Sequence, residues 1–172
     1  MTEPQRPAAP KTWRIVLAIG LPGSGKSTYF ERKGIVPLSS DLLRHVLYDD
    51  PADQRLPHFV FDALRHLLSL RLQAGRRLTY VDATNIRRRD RAQFFRMAAR
   101  FGCVVDALYF DVPLDVCLQR NRRRPRQVPE SSIRRMAREM EPPSPREGFR
   151  RIFTIRTPPR ERRGRTAANQ VS

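Results

Sequence analysis

Gly20-Leu21-Pro22-Gly23-Ser24-Gly25-Lys26-Ser27 has the residue types and spacing that chemistry on phosphate requires. It satisfies G-x-x-x-x-G-K-[ST] at every fixed position, the pattern of a phosphate-cradling P-loop. Glycines let backbone N–H groups close around an anion, and the N-terminus of a following helix adds partial positive charge. In this reading Gly23, Ser24, Gly25, Lys26, Ser27 and Thr28 hold the nucleotide phosphates. Lys26 reaches the β- and γ-phosphates and the Ser27 hydroxyl ligates Mg²⁺. The flanks fit: residues 14–19 form an apolar run of buried-strand type, and residues 28–33 can continue as a helix. The chain is therefore expected to bind ATP, or another nucleoside triphosphate, together with Mg²⁺.

Phosphoryl transfer to an alcohol also needs a carboxylate that takes the hydroxyl proton. Asp41 is a candidate, with Arg44 one helical turn further on the same face. An acidic residue favoured in the first turn of a helix by the dipole is the alternative reading of Asp41. Asp82 ends the apolar run Leu78-Thr79-Tyr80-Val81 as a Walker-B-like carboxylate does, and could hold Mg²⁺ through water. Thr84 and Asn85 either hydrogen-bond phosphate or substrate, or form a polar turn capping the next helix. Arg120-Asn121-Arg122-Arg123-Arg124-Pro125-Arg126 is either a solvated or nucleic-acid-binding face, or a flap over the triphosphate. Arginines in such a flap stabilise charge on the transferring group. Pro125 and Pro129 are expected to end the preceding helix and leave a hinged segment.

These residues need elements to position them, and the periodicity supplies alternating strands and helices. Strands are expected at 14–19, 35–38, 78–81, 104–110 and 151–155. Helices are expected at 41–47 with Ser40 as N-cap, from Pro57 to near Gly75, and at 87–100 closed by Gly102. Two more are expected at 114–123, with Pro113 in the first turn, and at 131–140. That alternation predicts an α/β P-loop NTPase/kinase fold: a parallel sheet flanked by helices on both faces, with an Arg-rich lid. The P-loop, residues 39–41 and residues 82–85 all fall at C-terminal strand ends, where ligands gather in such folds. The chain divides into a disordered tail over 1–11, a kinase-type domain over 12–156 and a basic flexible tail over 157–172.

A length of 172 residues suits one such domain. No apolar run reaches the ~20 residues of a membrane span, and no signal-peptide pattern opens the chain. Cys103 and Cys117 have no zinc spacing and read as reduced thiols, so the expected location is cytoplasmic. The net charge is +17, and only Lys11, Lys26 and Lys33 among the 34 basic residues are lysine. A GC-rich genome explains arginine in place of lysine. It does not explain 34 basic residues against 17 acidic ones, which points to a polyanionic partner.

The sequence resembles the 5′-polynucleotide kinases of the bacteriophage type and their bacterial relatives. The similarity rests on the P-loop, Asp41-Leu42-Leu43-Arg44, Asp82-Ala83-Thr84-Asn85 and Phe110-Asp111-Val112-Pro113. It continues through Arg120-Asn121 with Arg124, and Val128-Pro129 leading into Ile133-Arg134-Arg135-Met136, in the family's order. The resemblance implies that Asp41 is the base for a 5′-hydroxyl and Arg44 the ligand of the phosphate 3′ to the accepting nucleotide. It implies that Arg120 and Arg124 are lid arginines on the ATP phosphates, Arg124 stabilising the transition state. The extra arginines Arg122, Arg123 and Arg126 depart from the pattern and leave the assignment within the lid open. The phosphatase domain of the phage enzymes is not found, so 3′-phosphate removal is not expected.

Three functions compete. The first is an ATP-dependent kinase of 5′-hydroxyl ends of DNA or RNA, acting in nucleic-acid repair. The second is a small-molecule kinase for a sugar, nucleoside or antibiotic; zeta-toxin-like P-loop kinases also place an Asp after the second strand. The third is a nucleotide-dependent nucleic-acid-binding module without transfer activity. Arg44 and the net charge favour the first over the second, and Asp41 disfavours the third.

Overall fold

A strand buried along nearly its whole length sets the architecture. In β1 (Arg14–Ile19) every residue after Arg14 is buried, as in a strand covered on both sides. The computed structural model describes residues 13–50 and 55–156, so both expected tails lie outside the described residues. After β1 follow α1 (Lys26–Arg32), β2 (Leu38–Ser39), α2 (Ser40–Tyr48) and α3 (Pro57–Gln73). Then come β3 (Leu78–Asp82), α4 (Arg88–Phe101), β4 (Val104–Asp111), α5 (Leu114–Arg122), α6 (Glu130–Arg138), a 3₁₀ turn (Pro145–Glu147) and β5 (Arg151–Arg156).

All strand pairings are parallel, in the order β2-β3-β1-β4-β5. Chain order reverses beside β1, so the loop after β1 opens into the crevice where such sheets bind ligands. Alternate residues face opposite layers. Ile15, Leu17 and Ile19 pack with Val81, Val105 and Ala107 against α2, α3 and α4 through Leu43, Leu64, Leu68, Phe94 and Ala98. Val16 and Ala18 pack with Leu108 and Phe110 against Phe30 of α1. No described helix is long and apolar enough to cross a membrane.

The parallel sheet, its helices and their order are those expected; several boundaries move for physical reasons. The second strand begins at Leu38, not Ile35, and pairs only as Leu38↔Val81 and Ser39↔Asp82. Pro37 has no N–H to give to a ladder, and Val36 is exposed. The cap of α2 is Ser39 rather than Ser40: the Leu42 N–H donates to Ser39 Oγ at 3.3 Å. Gly102 closes α4 in the left-handed conformation, φ 63°, as expected. Helix α5 stops at Arg122, short of Pro125, because the residue before a proline is itself driven out of helical geometry.

Candidate active site

The P-loop leaves β1 and wraps into α1 so tightly that glycine is required. Gly23 has φ 82°, and a Cβ there would lie 2.4 Å from the Cys117 carbonyl oxygen of α5. Gly25, φ 98°, caps α1 without a side-chain bond, so the first N–H groups of the helix point free of the loop's own side chains. Lys26 Nζ donates to the carbonyls of Gly20 (2.8 Å) and Leu21 (3.0 Å), which arches the side chain back over the loop. Burial pushes its ammonium below the usual lysine value, against the opposing pull of Asp82, Cys117 and Asp41. Ser24 Oγ is buried and has no hydrogen-bond partner among the described residues.

These features open on a cleft of about 580 Å³. Gly23, Gly25, Lys26, Ser27 and Thr28 form one wall, Asp41 and Arg44 another, Asp82 and Thr84 the floor, and Arg120, Arg124 and Arg126 the roof. Most residues singled out by the sequence therefore meet in one place. Asp41 stands two residues after the Ser39 cap, in the first turn of α2. The Arg44 guanidinium donates to Asp41 Oδ1 at 2.7 Å across the i,i+3 spacing, with Asp41 open to the cleft and Arg44 buried. Asp82 extends from the end of β3, and burial raises its carboxyl above the ordinary aspartate value while Lys26 pulls it down.

Asn85 is a correction to the expected substrate ligands. It is buried, adopts φ 48° and donates through Nδ2 to the Ala18 carbonyl at 2.9 Å. A short amide side chain tolerates that backbone and here pins the loop after β3 to β1. It shapes the cleft without lining it, and it does not cap α4, whose N-cap is Arg87. Thr84 does line the cleft, and its carbonyl accepts from Gly20 N–H at 3.2 Å.

The Arg-rich segment is a loop clipped across its base. Asn121, wholly buried, donates to the Val128 carbonyl at 2.8 Å and accepts from the Val128 N–H at 3.0 Å. Gln127 donates to the Arg122 carbonyl at 3.1 Å. Arg122 turns outward to Glu130 at 2.6 Å. Arg120 Nη1 lies 3.5 Å from the Ser24 carbonyl, and the charge of Arg124 acts on Lys26 and Asp82. Arg126 Nη1 stands 3.9 Å from Asp41 Oδ2.

Sequence reasoning missed the group that ties the loop after β3 to the segment beyond α6. Arg91 of α4 is fully buried and binds Glu147 with both prongs, Nε at 2.8 Å and Nη2 at 2.7 Å. Its Nη1 donates to the carbonyls of Asn85, Ile86 and Glu141 at 2.9, 3.2 and 3.0 Å. A signal existed: Arg91 shares a helical face with Phe94 and Ala98, and an arginine on a core-facing stripe demands a partner.

The residues present fit a nucleotide with Mg²⁺. The cradle leaves no room for a side chain at Gly20 or Gly23, a lysine sits at its centre, and the Ser24 hydroxyl has no partner among the described residues. Among the described residues no group of three His, Cys, Asp or Glu side chains is clustered for a metal. Mg²⁺ on phosphates keeps several waters and needs few protein ligands, which Ser27 and Asp82 could supply.

Comparison with known proteins agrees with this geometry. Residues 15–143 match a family model described as an AAA domain. Over 55 residues the chain is 36% identical to human L-seryl-tRNA(Sec) kinase, covering 32% of this chain and 16% of that one. The chain thus spans about a sixth of the length of that curated relative. Among solved structures, a chain of the Pnkp1/Rnl/Hen1 RNA repair complex superposes with TM-score 0.60 at 20% identity, covering 74% of this chain and 44% of that one. The APS kinase CysC of Mycobacterium tuberculosis, solved with AMPPNP and APS, superposes with TM-score 0.55 at 22% identity over 84% of this chain and 90% of that one. These likenesses establish the α/β P-loop kinase fold, and the chain belongs to the AAA domain family.

Proposed function

We propose that this protein is a kinase that transfers the γ-phosphate of ATP to 5′-hydroxyl ends of DNA or RNA. The observation that carries the reading is the Asp41–Arg44 pair, joined at 2.7 Å and lining the same cleft as Lys26 and Ser27. A carboxylate there can accept the proton of an incoming alcohol, and the guanidinium beside it can hold a phosphate of the same acceptor. A neutral small acceptor needs only the first. The net charge of +17 supports a polyanionic acceptor.

The roles follow from position. Gly23, Ser24, Gly25 and Thr28 shape the cradle, and Lys26 neutralises the phosphates that enter it. Ser27, and Asp82 through water, would hold Mg²⁺, which neutralises phosphate charge when bound. Asp41 orients the hydroxyl and takes its proton. Arg44 fixes the phosphate 3′ of the accepting nucleotide, which positions the end without reading its base. Arg120 and Arg124 act from the roof, Arg124 on charge that develops during transfer. Thr84 is a further acceptor contact at the cleft floor. Nucleic-acid ends are the partners this implies, and end repair the setting.

The test offers wild type, Lys26→Ala and Arg44→Ala labelled ATP and Mg²⁺ with a 5′-hydroxyl oligonucleotide, a nucleoside 3′-phosphate, the plain nucleoside and a panel of sugars. Wild type should label the oligonucleotide, and Lys26→Ala should abolish labelling. Arg44→Ala should raise KM for the oligonucleotide about tenfold or more, as expected for a lost charged contact. Its loss on the plain nucleoside should be far smaller. Labelling of a sugar but of no oligonucleotide would move the assignment to a small-molecule kinase.

A further inference from the structure

The three roof arginines belong to one segment but meet different partners in the cleft. Arg120 lies over the P-loop at Ser24, and Arg124 acts on Lys26 and Asp82. Arg126 instead faces Asp41, at 3.9 Å from Oδ2, while Arg44 holds Oδ1 at 2.7 Å. Two guanidiniums thus flank a single carboxylate.

As structural glue this arrangement is poor. The Arg126 and Asp41 side chains are 37% and 57% exposed and their charged atoms 3.9 Å apart, a pair of the kind that contributes little. Arg44, by contrast, is buried, and its Nε has no hydrogen-bond partner among the described residues. Arg44 and Arg126 both line the cleft, and an anion entering between them would take charge-assisted hydrogen bonds from both. The Asn121–Val128 clip makes Arg126 part of the same rigid loop as Arg124.

We propose that Arg126 is a second acceptor-binding residue: with Arg44 it grips the phosphate next to the accepting hydroxyl, and the clipped loop that carries both Arg126 and Arg124 couples acceptor binding to nucleotide binding. The inference rests on the polynucleotide kinase reading and adds a residue and a coupling to it. By linkage, an acceptor bearing that phosphate strengthens nucleotide binding by the factor by which nucleotide strengthens acceptor binding.

Wild type, Arg126→Ala and Arg126→Lys are compared in steady state on a nucleoside 3′-phosphate and on the plain nucleoside. Binding of a non-hydrolysable ATP analogue is then measured with and without the nucleoside 3′-phosphate. Arg126→Ala should raise KM for the phosphorylated acceptor by about tenfold, the span of a lost charged contact, with binding of the ATP analogue in the absence of acceptor nearly unchanged. Its loss on the plain nucleoside should be several-fold smaller, and the acceptor should no longer tighten analogue binding. Arg126→Lys, which keeps the charge without the fork, should recover part of both effects. An unchanged KM in Arg126→Ala, or equal losses on both acceptors, overturns the role of Arg126 while wild-type activity leaves the kinase reading standing. A wild type that labels neither a 5′-hydroxyl oligonucleotide nor the phosphorylated nucleoside overturns that reading and this inference with it.

Discussion

Arg91 and Glu147 form a two-pronged ion pair out of contact with water, although 56 residues separate them in the chain. The third nitrogen of the guanidinium binds carbonyls on the loop after β3 and at Glu141 beyond α6. One side chain thereby fastens the cleft floor to the segment that follows the lid.

Arg91→Met should destabilise the protein by about 3–5 kcal/mol, because it leaves a buried carboxylate and several carbonyls without donors. Glu147→Gln should act in the same direction, since it leaves the guanidinium charge uncompensated. Arg91→Met with Glu147→Leu should cost less than the sum of the single changes. Denaturant unfolding measures all three, and single variants within about 0.5 kcal/mol of wild type would show the pair to be dispensable.

Asp41→Asn should lower kcat by about 10²–10⁴ while leaving KM for ATP nearly unchanged, as expected when a general base loses its proton-accepting oxygen. Asn keeps the shape beside Arg44. Near-normal turnover would reduce Asp41 to a favourable acid in the first turn of α2.

Arg124→Ala and Arg122→Ala should differ sharply despite their proximity. Arg122 is exposed and paired with Glu130 away from the cleft, so its loss should change kcat less than about twofold. Arg124 lines the cleft, and its loss should depress kcat about 10²-fold or more with a smaller effect on nucleotide affinity. The reverse order in a steady-state comparison would misplace the lid.

Asp82→Asn should make the protein more stable and less active at neutral pH. Burial raises the Asp82 carboxyl, so the folded state holds its proton more tightly than the unfolded state does. Ionising it therefore costs stability, in full above the raised folded value and not at all below about 3.8, its unfolded value. Asn removes that cost, so the gain in Tm over wild type should shrink as pH falls toward 3.8. A variant less stable than wild type at neutral pH would contradict this account of the carboxylate.

Local pattern carried the fold because its strands are buried and its helices carry their own stop signals. Residues 14–19 form a strand with the expected ends, and Gly102 stops α4 where a left-handed residue is needed. The short edge strand was misjudged since Ile35 and Val36 suit a strand by type, while Pro37 decides where pairing can start. The cleft was legible where motif spacing fixes geometry, at Lys26, Asp41, Arg44 and Asp82. Asn85 was not, because the same amide that could meet a phosphate also satisfies the Ala18 carbonyl, and only packing chooses. Arg91 and Glu147 escaped because nothing local joins residues 56 apart.

The Asn121 amide also acts as a ruler. Its reciprocal bonds to Val128 close a loop of fixed span, within which each arginine has an assigned reach. Residue types at exposed positions such as Arg123 can vary without moving the others. Loop length cannot: one inserted residue between Arg124 and Val128 would break the clip or shift Arg126 off Asp41 while Arg120 stayed over the P-loop. The lid is thus tolerant of substitution and intolerant of insertion, which makes its length the quantity to preserve when transplanting it into another kinase of this fold.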